Sequence, residues 1–297
     1  GVLKGQGLVA AAFASGANLN TSRATMGTAG IATAALAFGG YVQPKAGATE
    51  LYNGTAWTNV ASMPIPQGGI AGFGTTAAAI GAAGYDSVGG FPGQNTNVQS
   101  WNGSSWTTAT SLPNTRAFAS GCGTQTAGLV AGDNYNPWRN TSLEYNGSWT
   151  SGGDMANGKG SAGLSGTQTA ALSFGGNNPT PTVFTSTEEY DGTSWTGGGS
   201  LPQGIISLNG QKGGTQTAGI TAGGQASGVK IATSLTYNGT SWASNPASLA
   251  TARDNLGFVG TETSALGFGG YDPSGTTAAT EEFTGTYVGT LTLDTTT

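Results

Sequence analysis

The chain has 297 residues, and only 8% of them are charged, where a soluble domain usually has about 25%. Nine basic and fourteen acidic side chains give a net charge of -5 with no basic run, which argues against binding to nucleic acid or to an anionic membrane surface. No apolar stretch approaches the roughly 18 residues of a membrane span, so no membrane insertion is expected.

Residues 1–20 form the first predicted element. The run "VAAAF" ends at Phe13, ten residues before Arg23. Trp106 lies equally far before Arg116, so Phe13 takes the place of an outer-strand tryptophan. The C-terminal segment after the last aromatic competes for the same place. We expect one terminus to complete the outer edge of the last blade, which removes an open edge. The other terminus lies over it or leads elsewhere, and the N-terminal segment is alternatively a lead-in from another domain.

A hairpin with an aromatic on each side recurs six times along the rest of the chain. The copies are "YNGTAW" at 52, "WNGSSW" at 101, "YNGSW" at 145, "YDGTSW" at 190, "YNGTSW" at 237 and the weaker "FTGTY" at 283. Their closing aromatics are about 46 residues apart, a period typical of propellers. A turn of the type "GTQT", as at 166, and an apolar run that ends in a double glycine, as in "LSFGG" at 172, keep the same period.

Each period is predicted to hold four short strands. Runs such as "AALAF" are bounded by glycine and threonine, and at four to six residues they are too short for helices and right for strands. Four-stranded units repeated radially make a propeller. We therefore predict an all-β, six-bladed propeller with four antiparallel strands per blade, closed by strands from the termini. The blades are expected at residues 21–64, 65–113, 114–156, 157–202, 203–249 and 250–297.

The hairpin motif itself has a structural explanation. Asn-Gly and Asp-Gly supply the two positive-φ residues of a type I′ turn. Type I′ turns are expected at Asn53, Asn102, Asn146, Asp191 and Asn238, each with the glycine that follows. The tryptophans that close these hairpins are expected to pack between adjacent blades.

The order of the motifs resembles the kelch repeat. A double glycine closes an apolar strand, a Tyr follows, and a Trp stands about sixteen residues after the glycines, before "LPNTR" or "LATAR" opens the next unit. The resemblance covers residues 21–297, with departures at Ala83-Gly84, Gly132-Asp133 and Tyr287. The Gly/Ala/Thr-rich background resembles kelch-like structural proteins of bacteriophages, marine ones in particular. The resemblance implies a propeller and leaves the function open, because kelch-like propellers serve many roles.

Catalytic chemistry is limited by composition. The chain contains no histidine, which excludes Ser/His/Asp triads, Cys/His nucleophiles and histidine-ligated metals. The single Cys122 cannot form an internal disulfide and is expected to be a small buried residue. We expect no metal, no other cofactor and no enzymatic activity. A sialidase-like glycosidase is a minor alternative, although Asp191 is adjacent to Gly192, whereas the sialidase Asp-box places its Asp two residues before the Gly.

Two pairs of adjacent carboxylates invite an acid/base interpretation. They are Glu188-Glu189 and Glu281-Glu282. Neighbours in a strand point to opposite faces, so the two carboxylates of a pair cannot share a site. The same repeat position holds Glu50 and Glu144, which indicates a solvated strand face.

Ligand binding is expected on the face that carries the loops after the double glycines. These loops vary from repeat to repeat, whereas the turns on the other face are short and uniform, and variable loops on a rigid scaffold are the usual location of recognition. Aromatic side chains suit stacking on sugar rings or anchoring a protein interface. The candidates are Trp138, Arg139, Tyr135, Tyr41, Tyr85 and Tyr271, together with the repeat-equivalent arginines Arg23, Arg116 and Arg253.

Two functions fit these observations. The favoured one is a non-enzymatic virion surface protein of a phage, a tail fibre or decoration component, that binds a host glycan or receptor through the loop face. Its partners are other virion proteins, and the chain is a candidate member of a homo-oligomeric fibre. The alternative is a secreted or cell-surface carbohydrate-binding propeller. Both need a hydrophilic, weakly charged and durable scaffold.

Overall fold

The structure is a computed structural model that describes residues 2–41, 47–86, 93–134, 138–179 and 183–294. Within these ranges every regular element is a β-strand. Strands β1 (Val2–Val9) and β2 (Ala12–Ser15) precede the repeats. Repeat 1 holds β3 (Gly27–Ile31), β4 (Ala34–Phe38), β5 (Thr49–Tyr52) and β6 (Trp57–Val60). Repeat 2 holds β7 (Gln67–Gly68), β8 (Ala71–Gly74), β9 (Ala79–Ala82), β10 (Tyr85–Asp86), β11 (Val98–Trp101) and β12 (Trp106–Thr108).

The later repeats follow the same order of elements. Repeat 3 holds β13 (Ser120–Thr124), β14 (Ala127–Ala131), β15 (Thr141–Tyr145) and β16 (Trp149–Asp154). Repeat 4 holds β17 (Gly163–Thr167), β18 (Ala170–Phe174), β19 (Thr187–Tyr190) and β20 (Trp195–Gly197). Repeat 5 holds β21 (Gln211–Gly214), β22 (Gly219–Ala222), β23 (Gln225–Ala226), β24 (Val229–Lys230), β25 (Thr233–Tyr237) and β26 (Trp242–Ser248). Repeat 6 holds β27 (Gly257–Gly260), β28 (Ser264–Phe268), β29 (Tyr271–Asp272), β30 (Gly275–Thr276), β31 (Thr280–Thr284) and β32 (Tyr287–Asp294).

The strands form small antiparallel sheets in a propeller-like arrangement. Repeats 1 to 4 each contribute one four-stranded sheet, with orders β3-β4-β5-β6, β8-β9-β11-β12, β13-β14-β15-β16 and β17-β18-β19-β20. An eight-stranded sheet has the order β2-β31-β28-β27-β21-β22-β25-β26. The pairs β1-β32, β7-β10, β23-β24 and β29-β30 form two-stranded sheets. The all-β, propeller-like prediction is therefore confirmed.

A closed ring of backbone hydrogen bonds joins the six repeats around the axis. One residue of each repeat contributes at a positive φ: Thr25 (53°), Gly69 (63°), Phe118 (54°), Ser161 (55°), Ser207 (62°) and Asn255 (51°). Gly69 N donates to Thr25 O at 2.8 Å, and Phe118 N to Gly69 O at 3.0 Å. The chain of bonds continues through Ser161 and repeat 5 to Asn255, which accepts from Thr25 N at 3.0 Å. Each repeat is thereby fixed to both neighbours.

The apolar core is divided among the interfaces between repeats. Phe38 and Trp106, for example, belong to one buried cluster that joins repeats 1 and 2. Equivalent clusters join repeats 2 and 3, 3 and 4, 4 and 5, 5 and 6, and 6 and 1. A repeat alone leaves both of its apolar faces exposed, so its stability depends on its neighbours.

The predicted number of separate sheets is wrong. Six separate four-stranded sheets were expected, whereas four are separate and the strands of repeats 5 and 6 share the eight-stranded sheet. The join is a parallel pairing of β21 with β27 that includes Lys212 opposite Val259.

The cause of the join is two extra residues in repeat 5. The turn glycine follows the ring residue by five positions in repeat 4, from Ser161 to Gly166, but by seven in repeat 5, from Ser207 to Gly214. The extra length brings β21 into pairing with β27. It also places the Lys212 amine where it donates to Thr28 O of repeat 1.

The N-terminal strand takes the outer position of the last sheet. Strand β2 pairs with β31, with Phe13 opposite Phe283 and their ring centroids 5.0 Å apart. This is the place that Trp57 takes opposite Tyr52 in repeat 1. The C-terminal strand β32 pairs instead with β1 in a two-stranded ribbon. The outer edge of the eight-stranded sheet at repeat 6 is thus built by the beginning of the chain.

The aromatic hairpins have a different turn from the one predicted. The asparagines do not take a positive φ, whereas the glycines after them do, as at Gly54 (94°). A type I′ turn needs a positive φ at both residues, so that prediction is wrong. The Asn53 side chain accepts hydrogen bonds through Oδ1 from the backbone of Thr55 at 3.0 Å and Ala56 at 2.9 Å. Asparagine is favoured here because its side chain replaces a backbone acceptor.

The hairpin tryptophans lie between neighbouring repeats, as expected. Trp106 Nε1 donates to Thr49 Oγ1 of the preceding repeat at 2.9 Å, and its ring lies 4.9 Å from that of Phe38. The same ring pairing joins Trp57 to Phe268 and Trp242 to Phe174. These phenylalanines belong to repeats 1, 4 and 6, whereas repeats 2 and 3 carry alanine at the same position. The tryptophans that face those alanines, Trp149 and Trp195, are only half-buried.

We predict that the tryptophans differ in their contribution to stability. Trp106→Ala removes a buried ring and its phenylalanine contact and should lower the free energy of unfolding by about 3–5 kcal/mol. Trp195→Ala removes a half-buried ring and should cost roughly half as much. Urea unfolding of the two variants and the unchanged protein measures both values. Equal losses of unfolding free energy in the two variants would show that the phenylalanine contact adds no stability.

We also predict that the two parts of the N-terminal segment are unequal. Deleting residues 1–9 removes only the ribbon strand β1 and should leave the unfolding midpoint nearly unchanged. Deleting residues 1–16 also removes β2 and the Phe13 ring, at a cost of at least about 3 kcal/mol. Thermal unfolding of both truncated chains tests this difference. Indistinguishable melting temperatures would show that β2 does not close the sheet.

Candidate functional site

The two ends of the propeller-like ring differ in character. The turn face carries the short turns between the first and second strands and the aromatic hairpins. The loop face carries the segments after the double glycines and the connections between repeats. Described parts of these segments form the small hairpins β23-β24 and β29-β30 in repeats 5 and 6. The sequence candidates for binding belong to the loop face.

Three candidate tyrosines lie near one another on the loop face. Tyr41 and Tyr271 follow double glycines, and their rings lie 6.2 Å apart in a tilted arrangement. Tyr85 is buried and stacks on Phe118 at 5.4 Å. Burial raises the pKa of Tyr271, and the nearby Tyr85 and Tyr41 raise it further. The structure therefore brings these three predicted residues together, with Tyr41 and Tyr271 half-buried.

The loop of repeat 3 places Trp138 and Arg139 beside each other at the surface. Arg139 Nε lies 3.1 Å from the buried Asp133 Oδ2, and 28% of the arginine side chain is exposed. Burial raises the pKa of Asp133, while the Arg139 guanidinium and other donors act in the opposite direction. The ring of Trp138 is half-buried and its backbone lies against Gly158. Tyr135 lies outside the described residues.

The three candidate arginines are buried inside their own repeats. Arg23 pairs with Glu50, and Arg253 Nη2 pairs with Glu281 at 2.6 Å. Arg116 Nη1 donates to the carbonyl oxygens of Gly132 at 2.8 Å and Thr141 at 2.9 Å. Burial lowers the pKa of Arg116 to about 10. Their role as ligand contacts stays a prediction, and their full burial gives it no support.

The two carboxylates of each pair point to opposite faces of the strand, as expected. The expectation that they lie on a solvated face is wrong for the first member of each pair. Glu188 and Glu281 are buried. Glu188 Oε1 lies 3.0 Å from the amine of Lys159, a fully buried lysine that the sequence analysis did not single out. Burial lowers the pKa of Lys159, and Glu188 opposes that shift. Lys159 lies seven residues before "GTQT", as Arg116 does in repeat 3, so the repeat alignment held the signal.

The glutamate directly before the hairpin aromatic, present in repeats 3, 4 and 6, binds the tyrosine of the following repeat. Tyr237 Oη donates to Glu189 Oε1 at 2.6 Å, and Tyr190 Oη donates to Glu144 Oε1 at 2.7 Å. Tyr52 closes the ring by donating to Glu282 at 2.5 Å. These carboxylates connect repeats, and each has a defined structural partner.

The axis at the turn face holds a small cavity of about 190 Å³. One turn glycine from each repeat lines it, with Cys122 and Lys212. Burial raises the pKa of the Cys122 thiol to about 12. The thiol is therefore uncharged at neutral pH, in keeping with the small buried residue that was expected, because the thiolate is the reactive form.

Two exposed valines lie on the loop face of repeats 4 and 5. Val183 and Val229 are 37% and 65% exposed and lie in the loops of repeats 4 and 5, next to the loop that carries Trp138. A groove of about 280 Å³ between repeats 5 and 6 is lined by Val229, Lys230 and Pro273, among others. We call Trp138, Val183, Val229 and Lys230 the loop-face arc. The sequence-based candidates in these loops were mainly aromatic residues, so they did not include the two valines and the lysine.

No protein-family model matches the chain, and no curated protein matches it. Within the described residues, no helix is long and apolar enough to cross a membrane. The same part of the chain contains no group of three or more Cys, Asp or Glu side chains placed to hold a metal ion.

The tyrosine–glutamate contacts predict a loss of stability at high pH. Burial, followed by the hydrogen bond to a glutamate, raises the pKa of Tyr52 and of Tyr190 to about 12, from about 10 in the unfolded chain. The unfolded chain therefore releases these protons first, and stability falls as the pH rises from about 10 to 12. Urea unfolding between pH 8 and 12 measures the fall. Tyr190→Phe should be less stable at pH 8 and show a shallower decline, and an unchanged slope would contradict the assignment.

Proposed function

We propose that this protein is a non-enzymatic surface protein of a phage virion, a tail fibre or decoration component, that binds a host-surface glycan through the loop face. The observation that carries the binding role is the loop-face arc. The exposed valines Val183 and Val229 of repeats 4 and 5 and the half-buried Trp138 of repeat 3 lie on the same face as the partly exposed Lys230 and Arg139. Such a mixture suits a sugar, which presents apolar ring faces and polar hydroxyls.

The rigidity of the scaffold supports this role. Adjacent repeats are joined by backbone bonds, buried rings and tyrosine–glutamate contacts, and few of these depend on exposed charge. Salt screens exposed charge pairs but has little effect on buried contacts. A particle that meets changing ionic conditions outside a cell benefits from such a scaffold.

The non-enzymatic part of the proposal is supported by the assignment of the acidic residues. Glu50, Glu188 and Glu281 bind buried cations, and Glu144, Glu189 and Glu282 accept bonds from tyrosines. A general acid or base needs access to substrate within hydrogen-bond reach. Carboxylates held in this way serve as structural partners.

We further propose that the ring is a six-bladed kelch-like propeller in which the eight-stranded sheet represents two blades. Each half of that sheet has the strand order of a separate four-stranded sheet, with β2 supplying the outer strand of the last one. Six ring residues and six interface clusters support this count.

The binding proposal predicts a selective effect of Trp138→Ala. The variant should lose attachment to host cells or to an arrayed glycan while its free energy of unfolding changes by less than about 1 kcal/mol, as is usual for surface changes. Ile31→Ala is the matched control, because Ile31 is an apolar residue with 58% exposure on the turn face. It should retain full attachment.

Two results would contradict the proposal. Full attachment by a folded Trp138→Ala protein would remove this residue from the binding surface. A large loss of stability would show that the ring covers its own repeat. Val229→Ser adds an independent probe of the same face, and it should weaken attachment with little effect on folding.

A further inference from the structure

The glutamine of the "GTQT" turn fills a fixed place between repeats. Gln216 Nε2 donates to Ala171 O at 3.1 Å and to Tyr190 O at 2.7 Å in the preceding repeat. Gln168 and Gln125 make the equivalent pair of bonds at their own junctions. A side-chain amide therefore supplies the donor for two carbonyl oxygens at three places in the ring.

Repeat 6 carries Glu262 in this place. A carboxylate has no N–H group and cannot donate to carbonyl oxygens. The equivalent acceptors in repeat 5 belong to Gly219 and Tyr237, which are paired opposite each other just as Ala171 and Tyr190 are. Within the described residues, the Glu262 side chain makes no hydrogen bond. The carbonyl oxygens of Gly219 and Tyr237 therefore lack the glutamine donor that their equivalents have at three other junctions.

A cleft of about 530 Å³ opens at this junction on the turn face. Glu262 and Thr263 line one side, and the opposite side includes Tyr237, Asn238 and Asn245. At the junction of repeats 6 and 1, where alanine replaces the glutamine, a smaller cavity of about 160 Å³ is present. Space is thus present at these two junctions, while repeat 2, which also lacks the glutamine, has Thr76 in its place. Of the two cavities, only the first contains a carboxylate among its lining residues.

We propose that this cleft binds a primary ammonium group carried by a polyhydroxylated compound, an amino sugar. An ammonium group has three N–H donors, as a lysine side chain has. They match the Glu262 carboxylate and the carbonyl oxygens of Gly219 and Tyr237. The ammonium nitrogen supplies the N–H donors that the glutamine Nε2 supplies at other junctions, and the negative charge of Glu262 compensates its positive charge.

The rest of the cleft is suited to sugar hydroxyls. Its lining includes the hydroxyl groups of Thr236, Ser241 and Thr263 and the amides of Asn238 and Asn245. Asn245 Oδ1 accepts from Ala247 N at 2.9 Å, which orients its NH₂ group as a donor. The volume lies within the roughly 300–1,000 Å³ typical of small-molecule sites. A bare divalent cation is a poorer match, because Ca²⁺ takes six to eight oxygen ligands and one carboxylate lines the cleft.

The test uses the full chain with glucosamine and glucose as probes in calorimetric titrations. Glucosamine should bind, and glucose should bind at least about tenfold more weakly, because it lacks the charged donor. Glu262→Gln should weaken glucosamine binding by at least about tenfold. The control is Asp154→Asn, which removes the same charge from an exposed position in repeat 3. It should leave binding unchanged.

The fold of the variant is checked in the same experiment. Glutamine makes two bonds in this place at the other junctions, so Glu262→Gln should melt at the same or a higher temperature. A lower melting temperature contradicts the geometry of the site.

Three binding results would overturn the proposal. These are equal binding of glucosamine by Glu262→Gln, equal binding of glucose by the unchanged protein, and displacement of glucosamine by an equal concentration of potassium chloride. The cleft is independent of the loop-face proposal, since it lies on the opposite face. Trp138→Ala should therefore keep its affinity for glucosamine whether or not it loses attachment to cells.

Discussion

The ring of six backbone hydrogen bonds around the axis determines where every repeat lies. It requires one residue of each repeat to take a left-handed conformation, which costs an ordinary residue about 1–2 kcal/mol. Phe118 takes this conformation although it is bulky. A hydrogen bond contributes about 0.5–1.5 kcal/mol net, so the ring contributes little net stability. Its effect is on geometry, because it fixes the distance and rotation between neighbours.

The stability that maintains the ring comes from the interfaces between repeats. Each interface holds an apolar cluster, and several add a tryptophan–phenylalanine contact or a tyrosine–glutamate bond. Several buried charges are paired, as in Arg253 with Glu281. Removing one partner of such a pair is strongly destabilising, whereas the intact pair contributes little net stability. These pairs hold the segment before the first strand of a repeat against the third strand of its sheet.

The extent to which the structure follows from the sequence depends on whether a feature repeats. The period predicts four strands per unit, and the spacing of Phe13 before Arg23 makes the N-terminal segment one of two candidates for the closing strand. The structure shows that this segment, and not the C-terminal one, takes the place. The join between β21 and β27 was not predicted, since two extra residues before Gly214 change the path of one strand without changing any motif. The buried glutamates were also missed. Alternation along a strand separates the two members of a pair but does not show which faces a lysine in the preceding loop.

Departures from the repeat are where surface chemistry is expected in a protein of this kind. A side chain that recurs in several units has the same structural role in each, and Gln168 and Gln216 illustrate this by donating to equivalent carbonyl oxygens. In repeat 6 this glutamine is replaced by Glu262, which cannot donate to the carbonyl oxygens of Gly219 and Tyr237. Those oxygens are therefore available to another hydrogen-bond donor. The same argument applies to the loop face. Trp138 has no equivalent tryptophan in the other repeats, so the construction of the ring gives no reason for it, and this is why the proposed binding surface includes it.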